Sequence, residues 1–80
     1  MKLKSLIDVI GWIGSIEVIA AYALNSYQQL SSDSIIFQVL NLTGGIFLII
    51  NTIYHRAYPS AFINVVWVII ASIAIGRILI

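Results

Sequence analysis

The 80-residue chain contains no cysteine, which excludes disulfides, thiolate metal sites and cysteine nucleophiles. It has a single histidine, His55, which cannot build a metal cage by itself, and a single proline, Pro59. Charge is scarce. Asp, Glu, Lys and Arg make up 9% of the residues, and the net +1 comes from Lys2, Lys4, Arg56 and Arg77 against Asp8, Glu17 and Asp33. No basic cluster could neutralise several phosphates, so nucleic acid is not an expected partner. There is no Gly-x-Ser-x-Gly elbow and no His-Glu-x-x-His motif, and Ser15, Ser60 and Ser72 have no base nearby in sequence. Neither enzymatic chemistry nor a cofactor or bound metal is expected.

What the chain does have is apolar length. Hydrophobic residues make up 61% of it, and the mean hydropathy is +1.08. Soluble domains use roughly 45–50% apolar residues. A soluble chain this short would bury only about 60–65% of its surface on folding, leaving much of this Ile, Val and Leu in water. Lipid removes that difficulty. A bilayer core of about 30 Å needs about 20 helical residues, and three such runs are present, at 5–25, 34–54 and 59–79. They do not alternate with period two, so helices rather than barrel strands are expected. Lys2 and Lys4 ahead of an apolar run with Ala21-Tyr22-Ala23 have the layout of a secretory signal. Asp8 and Glu17 interrupt that run and it exceeds a signal core in length, so a membrane span is the expectation.

The whole chain, 1–80, thus reads as one all-α domain, a three-transmembrane-helix bundle in a lipid bilayer. The polar segment 26–33 leads into helix 2 with good N-cap residues. His55-Arg56-Ala57-Tyr58 is short enough to make helices 2 and 3 a tight antiparallel hairpin, and Pro59 suits the first turn of helix 3. Three spans place Lys2, Lys4 and Arg56 on one side and Asp33 and Arg77 on the other. The positive-inside rule then puts the N-terminus in the cytoplasm.

Each span carries a polar or small-residue stripe. On helix 1, Gly11, Gly14, Ser15, Glu17, Val18, Ala21, Tyr22 and Asn25 fall within roughly 160° of arc. On helix 2 the stripe includes Gln38, Asn41, Gly44, Gly45, Asn51 and Thr52, and on helix 3 Ser60, Ala61, Asn64, Trp67 and Ala71. In lipid, helices associate through close approach of small residues and through polar groups bonded across the seam. Gly11, Gly14, Gly44 and Gly45 are therefore expected packing points.

Glu17 stands out, because a carboxyl near the middle of a membrane helix costs about 2.5–3.5 kcal/mol on insertion scales. Two roles fit it, a proton-coupling group or a structural carboxyl that locks the bundle. Asn41, Asn51 and Asn64, with Trp67 on the face of Asn64, offer amides beside a flat aromatic surface, which suits a small neutral polar solute. The same amides could serve as glue between helices. His55 and Arg56, with Tyr54 and Tyr58, read as an interfacial anchor, with a substrate gate as the alternative.

Three helices cannot enclose a solute path and seal both ends, so a site would form between two copies. The chain resembles the SemiSWEET proteins, bacterial half-transporters of the PQ-loop superfamily. Gly44, Pro59 and Asn64 fall where that family has glycine, proline and a substrate-facing asparagine, and Gly11 matches the start of its first helix. The resemblance spans 11–71. The family's Pro-Gln pair falls on Leu24-Asn25, and its helix 2 tryptophan falls near Leu48. The chain is similar, too, to small uncharacterised bacterial membrane proteins with Gly-Trp-x-Gly, Asn-Leu-x-Gly and Asn-x-x-Trp. These are here Gly11-Trp12-Ile13-Gly14, Asn41-Leu42-Thr43-Gly44 and Asn64-Val65-Val66-Trp67.

The SemiSWEET resemblance implies helices packed in the order 1-3-2, a parallel homodimer in a bacterial inner membrane, and a small polar solute bound between copies. Asn64, Trp67 and Asn41 would face that solute, Asn51 and Asn25 would border it, and Glu17 would couple or latch. The alternatives of a different kind are a non-transporting scaffold subunit and a small proton or ion channel lined by Glu17.

Overall fold

The computed structural model describes residues 2–80. It contains three helices, α1 (Leu3–Ser26), α2 (Ile35–Tyr54) and α3 (Tyr58–Leu79), each long and apolar enough to cross a bilayer. At about 1.5 Å per residue they are about 30–36 Å long, which matches a hydrocarbon core of about 30 Å. These sequences are rich in β-branched residues, which are indifferent helix formers in water. In lipid the helix is imposed because every backbone group must find an internal partner.

The helix ends agree with the sequence expectations to within two residues. Ser34 caps α2, its Oγ accepting from Ile36 N–H at 3.1 Å, and Pro59 stands in the first turn of α3. The C-termini of α1 and α2 close in the same way. Gln29 N–H donates to Leu24 O at 2.8 Å and Gln28 N–H to Asn25 O at 3.0 Å; Ala57 N–H donates to Thr52 O at 2.8 Å and Arg56 N–H to Ile53 O at 3.0 Å. Both are Schellman closures, which place one residue in the left-handed region. Here those residues are Gln28 (φ 61°) and Arg56 (φ 57°) rather than glycine.

The packing departs from one expectation. α2 lies in the middle, against both α1 and α3, while no Cα of α1 comes within 8 Å of one of α3. The order is 1-2-3, not the 1-3-2 that the SemiSWEET resemblance implies. The reason lies in where glycine is. Gly44 and Gly45 are adjacent, so they sit about 100° apart around α2 and give it two close-approach faces. A Cβ on Gly44 would meet Gly14 O at 2.9 Å, and one on Gly45 would meet Val68 Cγ2 at 2.8 Å.

The interior is made of small residues. Its buried members include Gly11, Gly14, Ala21, Gly44, Gly45, Ala61 and Ala71, and no large side chain is fully buried among the described residues. Most isoleucine, valine and aromatic side chains face outward instead, as they do when the surroundings are hydrocarbon; Ile7 is buried, and Val18 and Val68 pack on Gly44 and Gly45.

Candidate functional site

Because the backbones of α1 and α3 approach only that of α2, a cleft opens between them over α2. It has a volume of about 360 Å³ and is lined by Val18, Tyr22 and Asn25 of α1, Phe37, Asn41 and Gly45 of α2, and Asn64 and Trp67 of α3. Four residues singled out in the sequence, Asn25, Asn41, Asn64 and Trp67, therefore meet in one place. Gly45 forms part of the floor, and its missing side chain is what lets α3 approach there. The wall is mostly apolar and aromatic with a few convergent amides, the composition of small-molecule sites, and the volume lies near the lower end of their range of about 300–1,000 Å³. Asn25 is partly committed, since its Nδ2 donates to Leu30 O at 3.0 Å and holds the connection after α1. Among the described residues no side-chain hydrogen bond engages the Asn41 or Asn64 amides, and both remain available to a ligand.

Asn51 lies elsewhere. Its Nδ2 donates to Ile7 O at 3.1 Å, and its Cγ is 2.6 Å from where a Cβ of Gly11 would stand. Asn51 is a bond between α1 and α2, placed by the absence of a side chain at Gly11. It does not border the cleft.

Glu17 lies outside the cleft as well. Its Oε2 accepts from Thr43 Oγ1 at 2.6 Å, and the same Thr43 hydroxyl is 2.9 Å from Val39 O. One hydroxyl hydrogen serves two acceptors there. Oε1 of Glu17 is buried without a hydrogen-bond partner among the described residues. Thr43 and Gly45 flank Gly44 and stand about 200° apart around α2. Gly45 turns to α3, so Thr43 and its Glu17 partner occupy the side of the α1–α2 seam away from α3 and from the asparagines.

Sequence reasoning missed three parts of this arrangement. Thr43 was visible beside Gly44, but nothing in a linear motif pairs it with Glu17. Gln38 is buried, and its Nε2 donates to Ser32 O at 2.8 Å, which fastens the 27–34 connection onto α2. Asp8 joins His55 across 47 positions, Nε2 to Oδ1 at 2.7 Å, and accepts from Lys4 Nζ at 2.9 Å on its other oxygen. The signal for that last pair was geometric: in an antiparallel hairpin the first turns of α1 lie beside the end of α2. A larger open groove of about 580 Å³, between the start of α2 and the end of α3, has Asp33 and Arg77 on its walls and contains none of the sequence-predicted site residues.

A family model whose description names no activity matches residues 7–80, nearly the whole chain. No curated protein and no solved structure matches it.

Proposed function

We propose that this chain, which belongs to the family matched over residues 7–80, is a non-enzymatic membrane protein that binds a small, uncharged polar solute in the α1–α3 cleft. The observation that carries this reading is the convergence of Asn25, Asn41 and Asn64 with Tyr22 and Trp67 on one cavity of about 360 Å³. Asparagine amides donate and accept, and Trp67 offers a flat apolar face, a combination that suits a hydroxylated solute more than an ion. Acyl chains cannot satisfy such amides, and the cleft is open to the side. A second copy of the chain closes it, which gives a parallel homodimer with the solute between protomers, as in a half-transporter of the SemiSWEET kind. The positive-inside rule puts the N-terminus on the cytoplasmic side, and the SemiSWEET likeness points to a bacterial inner membrane. Transport would follow from rocking the copies about the site.

The supporting experiment is a binding screen of neutral polyols and sugars against protein in lipid nanodiscs, followed by uptake into proteoliposomes. Asn64→Ala is expected to lower affinity at least about tenfold, which corresponds to losing about 1.4 kcal/mol. Unchanged affinity removes Asn64 from the site. A second reading, a scaffold subunit whose exposed α3 docks on a larger membrane protein, draws on the small share of α3 that is buried. It predicts no solute binding and co-purification of a partner.

A further inference from the structure

The open groove of about 580 Å³ between the start of α2 and the end of α3 is charged at one end and apolar at the other. Asp33, just before α2, and Arg77, in the last turn of α3, stand at its outer end, and Ile73, Ala74 and Ile70 line it further in. Ile70 also belongs to an apolar hollow of about 220 Å³ that includes Ile63 and Val66, so the two depressions adjoin on α3. Spacing agrees with this. Ile63, Ile70 and Arg77 are seven apart, as are Val66 and Ile73, and residues seven apart on a helix differ by only about 20°. Arg77 and Val66 are separated by about 16–17 Å of helix, about half of a hydrocarbon core of about 30 Å. One face of α3 thus carries a charge at the membrane interface and an apolar trough about one leaflet deep beneath it.

The outer end holds both signs of charge. Among the described residues the ion pairs are Lys4–Asp8 and His55–Asp8, so Asp33 and Arg77 share the groove without pairing with each other. Snorkelling accounts for an arginine near a helix end, but not for a carboxylate on the same groove. The segment that carries Asp33 is fixed in place. Gln38, buried in α2, donates from Nε2 to Ser32 O at 2.8 Å, and Asp33 N–H donates to Ser31 Oγ at 3.1 Å. A segment ordered beforehand costs less on binding than one that must be ordered by its ligand.

We propose that this groove binds a phospholipid whose headgroup carries both a phosphate and a primary ammonium, the phosphatidylethanolamine class, in the leaflet opposite the N-terminus. The Arg77 guanidinium takes the phosphate, to which its fork of donors is matched. The Asp33 carboxylate accepts from the ammonium N–H groups. One acyl chain lies along Ile73, Ile70 and Val66. Because the two side-chain charges cancel, the groove selects between headgroups. An anionic headgroup such as phosphatidylglycerol satisfies Arg77 but sets its negative charge beside Asp33. Phosphatidylcholine has a quaternary ammonium with no N–H to give the carboxylate. Asn25, Asn41 and Asn64 line neither depression, so the lipid site does not depend on solute binding in the asparagine cleft.

The test is native mass spectrometry of the full chain released from nanodiscs that contain equimolar phosphatidylethanolamine, phosphatidylcholine and phosphatidylglycerol with the same acyl chains. Phosphatidylethanolamine is expected to be retained severalfold more than either of the others. Asp33→Asn should abolish its advantage over phosphatidylcholine and shift retention toward phosphatidylglycerol, because Arg77 then acts alone. Arg77→Gln should lower retention of all three. Ala74→Phe fills the trough and leaves both charges in place, and it should weaken phosphatidylethanolamine retention as well, which separates a lipid from its headgroup alone. Arg56→Gln, at the other end of the bundle, should leave the preference unchanged. Asp33 and Arg77 are both exposed, so their variants are expected to fold. Equal retention of the three lipids by the unaltered chain, a preference for phosphatidylglycerol, or a preference that survives Asp33→Asn and Arg77→Gln would overturn the proposal. Loss of the preference in Arg56→Gln would place the lipid elsewhere and overturn it too.

Discussion

Gly14 and Gly44 are placed back to back at the crossing of α1 and α2: a Cβ on Gly14 would lie 2.7 Å from Gly44 O, and one on Gly44 would lie 2.9 Å from Gly14 O. The obstacle in both directions is backbone, which cannot rotate aside. Gly14→Ala and Gly44→Ala are each expected to cost about 1–3 kcal/mol, the usual range for overpacking. Gly76 has nothing within 4 Å of its would-be Cβ, so Gly76→Ala should be neutral or stabilise by up to about 1 kcal/mol through helix propensity. Thermal unfolding in detergent compares the three directly.

Glu17→Gln is expected to leave stability within about 0.5 kcal/mol, because the amide can donate to Thr43 Oγ1 and free the hydroxyl hydrogen for Val39 O. Thr43→Val removes the partner and should cost about 0.6–1.7 kcal/mol, the measured range for hydrogen bonds between membrane helices. Solute affinity should be untouched by both, since the pair lies away from the cleft. A large loss of affinity in Glu17→Gln, with stability preserved, would return Glu17 to a direct role.

Asn51 and Asn64 should separate cleanly. Asn51→Ala is expected to lower stability by about 0.6–1.7 kcal/mol through the lost bond to Ile7 O, leaving binding intact, whereas Asn64→Ala should do the reverse. Measuring the melting temperature and the affinity on the same preparations distinguishes glue from ligand contact.

Gln28→Gly and Arg56→Gly should each stabilise the chain, by about 1 kcal/mol, because a side chain in the left-handed region costs about 1–2 kcal/mol that glycine avoids. Part of that gain is lost to the greater freedom of glycine in the unfolded chain. A fall in melting temperature for either variant would show that its side chain makes a contact worth more than the backbone strain.

The three spans were legible because the need to satisfy a backbone in lipid overrides local preference, and run length alone marks them. Pro59 and Ser34 were legible because capping depends on a few neighbouring residues. The order of the helices was not, since it turns on which face of Gly44-Gly45 each neighbour takes, and the faces differ by one residue step. The cleft was partly legible. Asn25, Asn41, Asn64 and Trp67 share inward stripes, but so does Asn51, and only the three-dimensional fit of Asn51 against Gly11 diverts it to Ile7 O. The Asp8–His55 pair lay beyond any linear pattern, as two separate helix ends had to be brought to the same side of the bundle.

With the backbone of α2 close to both neighbours and no Cα of α1 within 8 Å of one of α3, the bundle is two joints in series rather than a ring. Perturbations at Gly14 on α1 and at Val68 on α3, whose Cα atoms are more than 8 Å apart, should add in free energy to within about 0.3–0.5 kcal/mol, as for independent sites, whereas changes at the adjacent Gly44 and Gly45 should couple. Either outer helix can then be retuned without renegotiating the other, and α2 is the one element on which both depend.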